Sequence, residues 1–289
     1  MSEWWRHLRG KPFYWVLDGS NPAADLFMLR YVLERPEQAR ALRAAQLRLR
    51  ESPEVEALKE QLAMEGGLWA PRYHTSLWVL RLLAELDVPG DDERIAEALD
   101  RVLDQGEDVE GVSSPINANA IVVHMAAVFG FHRDGRVQAR LARLEERLEA
   151  CDLPDQADAA VDWLTQSAMA LAALPEEARD AATVERLAHR LEALDPAPIQ
   201  RYRQYGFPTF DRPDDLTLAR SALLLNVGRA WLEPWVRYIE GAQDEQGLWR
   251  MQRYLPTPGA VRWEDEEEGE PSRWLSAQAL YILRAYYGE

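Results

Sequence analysis

"YIEGAQDEQGLW", Tyr238 to Trp249, reads as the end of a helix, a turn and then a tryptophan. An aromatic and an aliphatic residue are followed at fixed spacing by Gln243, Gly247 and Trp249. Gln can cap a helix end, whose last carbonyls lack internal partners. Gly permits the positive φ that reverses the chain. A Trp folded over the helix end buries roughly 150–250 Å². The stretch therefore predicts a clasp between neighbouring helical units. A looser copy, "QLAMEGGLW", keeps Gln61, Gly67 and Trp69 but has Glu56 and Ala57 where the aromatic and aliphatic residues belong. A third place, "DQGEDVEGVSS", keeps Gln105 and Gly111 and loses the Trp. A pattern used more than once in one chain points to architecture before catalysis.

Outward from the clasp, nearly every periodic stretch has helical spacing and strand-like alternation is absent. "DDERIAEALDRVLDQ" (91–105) and "GRVQARLARLEERLEA" (135–150) are charged and amphipathic, with one solvated face. Six less charged stretches start near Pro22, Thr75, Asn117, Asp162, Asp214 and Ser272, 42 to 58 residues apart. Their broad apolar stripes fit helices enclosed on most sides. The one from Asp214 runs to Gly228, a candidate C-cap. A repeat near 50 residues, alternating polar and buried helices, implies that neighbouring pairs share a core. An open stack needs polar capping repeats at both ends, and here the last of these helices is as apolar as the middle ones, so closure is the economical arrangement. The expectation is all-α: an (α/α)6 toroid or barrel of about six helical hairpins with clasps. It forms one domain over 1–289, with segment 1–20 packing on or closing the ring.

Composition narrows the function. The chain has 289 residues, 47% of them hydrophobic, enough for a sizeable core. A formal charge of −16 argues against nucleic acid or an anionic membrane surface as partner. One cysteine, Cys151, excludes an intrachain disulfide and a multi-thiolate metal site. No apolar run is long enough to span a bilayer, and "MSEWWRHLRG" lacks the apolar core of a signal peptide. The expected location is the cytoplasm. No cofactor or metal is expected.

Tyr238, Ile239, Gln243, Gly247 and Trp249 resemble the "QW" repeat of terpenoid cyclases. With "SNPAADLFMLRYVLER", "YGFPTFDRPDDLTLARSALL" and "EPSRWLSAQALYILR", nearly the whole chain resembles the terpenoid-cyclase and protein-prenyltransferase toroid superfamily. More closely, it resembles compact single-toroid bacterial proteins with squalene-cyclase-like repeats, of unassigned activity. The resemblance implies a central aromatic-lined cavity for an isoprenoid or other apolar ligand. It also implies, if the chain is catalytic, a protonation-initiated cyclase. A non-enzymatic ligand-binding or protein-interaction module is the alternative. A carbohydrate-active (α/α)6 enzyme with facing carboxylates such as Asp162 and Asp214 is a third.

The cyclase reading puts chemistry on Asp214 and Asp215. They match the middle and last acids of the class II Asp-x-Asp-Asp motif, whose first position here is Arg212. That cation would lower an Asp pKa, the wrong direction for an acid catalyst. The competing reading is that both start a helix, where carboxylates satisfy free N–H groups. Aromatic residues at or before the inner-helix starts form the candidate ligand surface: Trp69, Tyr73, Trp78, Trp163, Tyr205, Phe207, Trp249, Trp263 and Trp274. Their faces suit apolar chains or carbocations. His74, Asn117 and Gln166 are candidate polar contacts, with Asp162, Arg273 and Ser276 in comparable places, while His124 reads as a satisfied core residue. The acidic run "EDEEEGE" (264–270) reads as a solvated loop.

Overall fold

The computed structural model describes all residues except 1–2, 64–72, 105–116, 151–152, 155–156, 195–203, 211–212, 256, 259–265 and 289. Helices α1 (Pro12–Val16) and α2 (Pro22–Phe27) come first, and α2 continues as a π turn over Met28–Val32. Next come α3 (Arg40–Arg50), α4 (Pro53–Gln61), α5 (Ser76–Glu85), α6 (Glu93–Asp104), α7 (Ala118–Val128) and α8 (Gly135–Ala150). They are followed by α9 (Ala157–Ala173), α10 (Ala181–Glu192), α11 (Asp215–Leu224), α12 (Arg229–Gly241) and α13 (Arg273–Tyr287). The protein is thus mostly helical, as expected. One parallel pairing of Gly206–Phe207 with Arg253–Tyr254 was not foreseen, because two residues are too few to alternate.

The two helix types separate by burial. In α8, Val137, Leu141, Leu144 and Leu148 recur every three or four residues and are buried, which gives one inward stripe. In α5 every residue from Leu77 to Ala84 is buried, so no face is left to water. Helix α5 packs on α7, α7 on α9, α9 on α11, α11 on α13, and α13 on α2 and its π turn. The more charged helices flank this series: α8 lies against α7 and α10, and α12 against α11 and α13. One contiguous core runs from Val16 to Leu283. Among the described residues no helix is long and apolar enough to cross a membrane.

The helix ends repeat. Side chains of Asn21, Asn117, Asp214 and Ser272 accept N–H bonds at the starts of α2, α7, α11 and α13. At the other ends, α5, α7 and α11 turn through left-handed residues, Asp87 (φ 60°), Gly130 (φ 85°) and Asn226 (φ 55°). The N–H of the following residue then reaches back: Val88 to Leu83 O, Phe131 to Ala126 O and Val227 to Ala222 O. That is a Schellman-type reversal, which satisfies carbonyls the helix leaves over. It corrects the reading of Gly228 as the C-cap of α11. Asn226 reverses the chain there, and Gly228 is the N-cap of α12.

The clasp has the expected anatomy. Trp249 Nε1 donates to Ile239 O at 2.7 Å, and Trp249 is fully buried. Gln243 Nε2 donates to Glu240 O at 2.9 Å and to His7 O at 2.8 Å. Gly247 has φ 80°, and a Cβ there would meet Gly10 N at 3.0 Å. Gln61 ends α4, whereas Gly67, Trp69, Gln105 and Gly111 lie outside the described residues. The N-terminal segment lies against α12 and α13. His7 stacks on Tyr287 at 3.6 Å, Arg9 N donates to Gln243 Oε1, and Arg273 pairs with Asp18 at 2.6 Å.

One expectation about the acidic run is overturned. Glu267 and Glu268 are exposed, but Glu266 is only 2% exposed. Its Oε1 accepts from Asn21 Nδ2 and from Trp274 N, both at 3.0 Å. It thereby ties the start of α13 to the start of α2. Burial pushes its pKa up to about 7, against the lowering effect of these donors, Ser272 and Arg273. Tertiary enclosure, which a charge run cannot reveal, decides its environment.

Candidate functional site

A cavity of about 310 Å³ opens where the apolar helices end. That volume lies at the low end for ligand pockets, about ten waters' worth of liquid. Residues from all six apolar helices, or from the turns that follow them, border it. Helices α7 and α9 contribute an apolar wall of small and flexible side chains: Ala127, Val128, Met169, Ala172 and Ala173. Tyr31, Thr217, Arg220, Ser221 and Gln278, from the π turn, α11 and α13, line it with polar groups. Glu85 and Asp87 at the end of α5, together with Thr209, complete the rim, and His124 joins from α7.

The carboxylates of this rim are engaged. Both Glu85 oxygens accept from Thr209 N, at 3.0 and 3.1 Å, and Oε2 also accepts from the Thr209 hydroxyl. Enclosure raises the Glu85 pKa, and the Arg81 charge opposes the rise. Asp87 pairs with the Arg30 guanidinium and accepts from Tyr31 OH at 3.1 Å. Burial drives the Tyr31 phenol up to about 12, with the Asp87 charge adding to the rise.

Arg81 is buried behind the wall and donates to His124 Nδ1 and to Phe210 O. Because Arg only donates, Nδ1 must accept, which places the imidazole proton on Nε2. Burial, then Arg81 and Arg220, holds the His124 pKa well below its usual value, so the ring is neutral.

Arg220 differs from the other cations. Its guanidinium lies over the rings of Phe27 and Tyr31, 4.7 and 5.6 Å from their centroids. It makes no hydrogen bond or ion pair with any described residue. The Gln278 amide and the Ser221 hydroxyl, 5% and 4% exposed, also carry no side-chain hydrogen bond to a described residue. Chemically, the cavity offers an unpaired cation, two spare polar groups and one enclosed carboxyl beside an apolar wall. Among the described residues no three His, Cys, Asp or Glu side chains gather as metal ligands.

The residues singled out from sequence sit elsewhere. Asp214 is 1% exposed and caps α11. Its Oδ1 accepts from Thr217 N at 3.0 Å and from the Thr217 hydroxyl at 2.9 Å, and Oδ2 from Gly206 N at 3.2 Å. Burial raises its pKa and these bonds oppose the rise. Arg212, expected to act the other way, lies outside the described residues. Asp215 is fully buried in the first turn of α11. Neither aspartate borders the cavity; Thr217 stands between Asp214 and it.

The aromatic set forms packed clusters. Tyr73 stacks on Phe210 at 4.9 Å, and Trp78 meets both edge-on. Phe207 and Phe27 each meet Trp274 edge-on, and Tyr205 leans on Tyr238. Trp163 lies under Arg147, and Trp249 belongs to the clasp. None of these borders the cavity, and Trp69 and Trp263 lie outside the described residues. Asn117 and Gln166 are brought together, but by each other: Asn117 N donates to Gln166 Oε1, and Asn117 Nδ2 to Ser167 Oγ, both at 2.9 Å. His74 is exposed; Ser276 Oγ accepts from Trp249 N at 3.1 Å.

Sequence reasoning missed Arg220, Glu85 and Gln278. The available signal was a charge inside an otherwise apolar inner helix, as in "DLTLARSALLL" and "SLWVLRLLAE". No family model matches the chain, and neither curated proteins nor solved structures give a match.

Proposed function

We propose that the chain is an α/α toroid, six helical hairpins closed on themselves, that binds a small molecule in its central cavity. The reading rests on one observation above the others: a single cavity is bordered by all six apolar helices or the turns that follow them. The unbroken packing series from α5 through α13 to α2 supports it, as does the Arg30–Asp87 pair that joins the π turn to the end of α5. The recurring caps at both ends support the repeat.

A toroid of this kind resembles the terpenoid-cyclase superfamily, whose QW repeat the clasp also resembles. The lining, however, favours an amphipathic ligand over a bare isoprenoid hydrocarbon, because buried polar groups without partners disfavour a purely apolar occupant. A cyclase led by Asp214, and a sugar enzyme led by Asp162 and Asp214, draw no support from a cavity that neither residue borders. We therefore favour binding over catalysis.

Native mass spectrometry of gently purified protein, with Ala172→Trp as a cavity-filling control, tests this reading. Wild type should release a small-molecule mass that the variant lacks. Equal masses from both proteins, or a bare chain in both, would point instead to an interaction module.

A further inference from the structure

The cavity's unmatched charge identifies the class of ligand. We infer that the occupant is a small carboxylic acid, bound as a monoanion, with its carboxylate on Arg220 and its apolar body against α7 and α9. This rests on the cavity-binding reading and adds the chemistry of the bound species.

Three observations carry it. Arg220 is the cavity cation whose guanidinium has no acceptor among the described residues, whereas Arg30 is neutralised by Asp87. A planar guanidinium fork matches a carboxylate through two parallel N–H···O bonds, and such bonds are the strong ones. Gln278 and Ser221 are more than nine-tenths buried, line the same cavity and have no side-chain hydrogen bond to a described residue. Their N–H and O–H groups can complete the carboxylate's acceptor sites. Ala127, Val128, Met169, Ala172 and Ala173, from α7 and α9, line the same cavity with apolar side chains, which suits a hydrocarbon body.

The charge count sets the limit of one negative charge. Arg30 already cancels Asp87, so Glu85 and the carbonyl ends of several helices are the negative groups that face the same space. One guanidinium balances one carboxylate. A phosphate dianion would place its second charge near Glu85 with no second free cation among the described residues to meet it, and an unpaired charge in such a place is costly. The chain's −16 net charge acts in the same direction at long range.

The test uses the full chain and three eight-carbon probes of one shape: octanoate, octanol and octylammonium. Isothermal titration calorimetry at pH 7 measures each against wild type, Arg220→Gln, Arg220→Lys and Ala172→Trp. Octanoate should bind wild type at least 10-fold tighter than octanol, and Arg220→Gln should weaken octanoate roughly 10- to 100-fold, a much larger factor than for octanol. Arg220→Lys should recover part of the loss, because it keeps the charge and loses the fork. Ala172→Trp should block every probe.

Octanol or octylammonium binding as tightly as octanoate overturns the monoanion assignment and leaves the cavity reading standing. Failure of all three probes on wild type overturns both. The comparison among probes on wild type needs no variant, so a poorly folded Arg220→Gln does not rescue the inference.

Discussion

Replacing Glu266 by Gln isolates the free energy of one enclosed carboxyl. In the folded chain its pKa is about 7, against 4.5 as the ordinary value. The folded state therefore holds this proton more tightly than the unfolded state does. The associated stability is fully present below pH 4.5 and is lost as pH rises through 7, the reverse of a salt-bridged carboxylate. At about 1.4 kcal/mol per pH unit, the loss between pH 4.5 and 8 is about 3 kcal/mol. Gln keeps a carbonyl oxygen for Asn21 Nδ2 and Trp274 N and carries no charge at any of these pH values.

Urea denaturation of wild type and Glu266→Gln at pH 4.5, 6 and 8 gives the comparison. Asp25, Glu85, Glu145 and Asp214 also have pKa values raised by burial, so wild type alone gives a compound slope. The difference between the two proteins removes it. Glu266→Gln should gain on wild type by about 3 kcal/mol between pH 4.5 and 8. A difference that stays constant with pH would refute the buried-acid account. A wild type that gains on the variant toward pH 8 would show that the donors and Arg273 outweigh burial.

Two further outcomes follow from the caps. Trp249→Phe leaves the Ile239 carbonyl without its indole donor, so thermal melts should show a loss of about 1–3 kcal/mol, a midpoint lower by a few degrees. Asp214→Ala strips the α11 cap and strands the buried Thr217 and Gly206 N–H groups, costing about 2–4 kcal/mol. Probe affinity measured on the folded fraction of Asp214→Ala should be unchanged. Lost affinity with intact stability would move Asp214 from cap to binding site.

The parts legible in the sequence were those whose physics is local. The clasp could be read because Gln243, Gly247 and Trp249 each act within ten residues of a helix end. The apolar helices could be read because a face enclosed on most sides demands a broad stripe. The α11 terminus was misread because Asn226 took the left-handed position usually given to Gly. The cavity was not legible at all. Its apolar wall is mostly alanines that look like helix filler, and its polar groups come from different helices. Glu266 shows the same limit: its charge is visible in a string, but its enclosure depends on Asn21, 245 positions away.

The N-terminal segment on α12 and α13 has a consequence in time. His7 meets Glu240 across 233 positions, and Arg273 meets Trp15 across 258. At about 5–20 residues per second, a ribosome needs roughly 10–50 s to deliver the later partner. Throughout that interval Trp15 and its neighbours lack the surface they are built to cover. Such distant contacts slow folding, because the intervening chain must be ordered before they form. The early aromatic segment therefore completes its packing only after α13 has emerged.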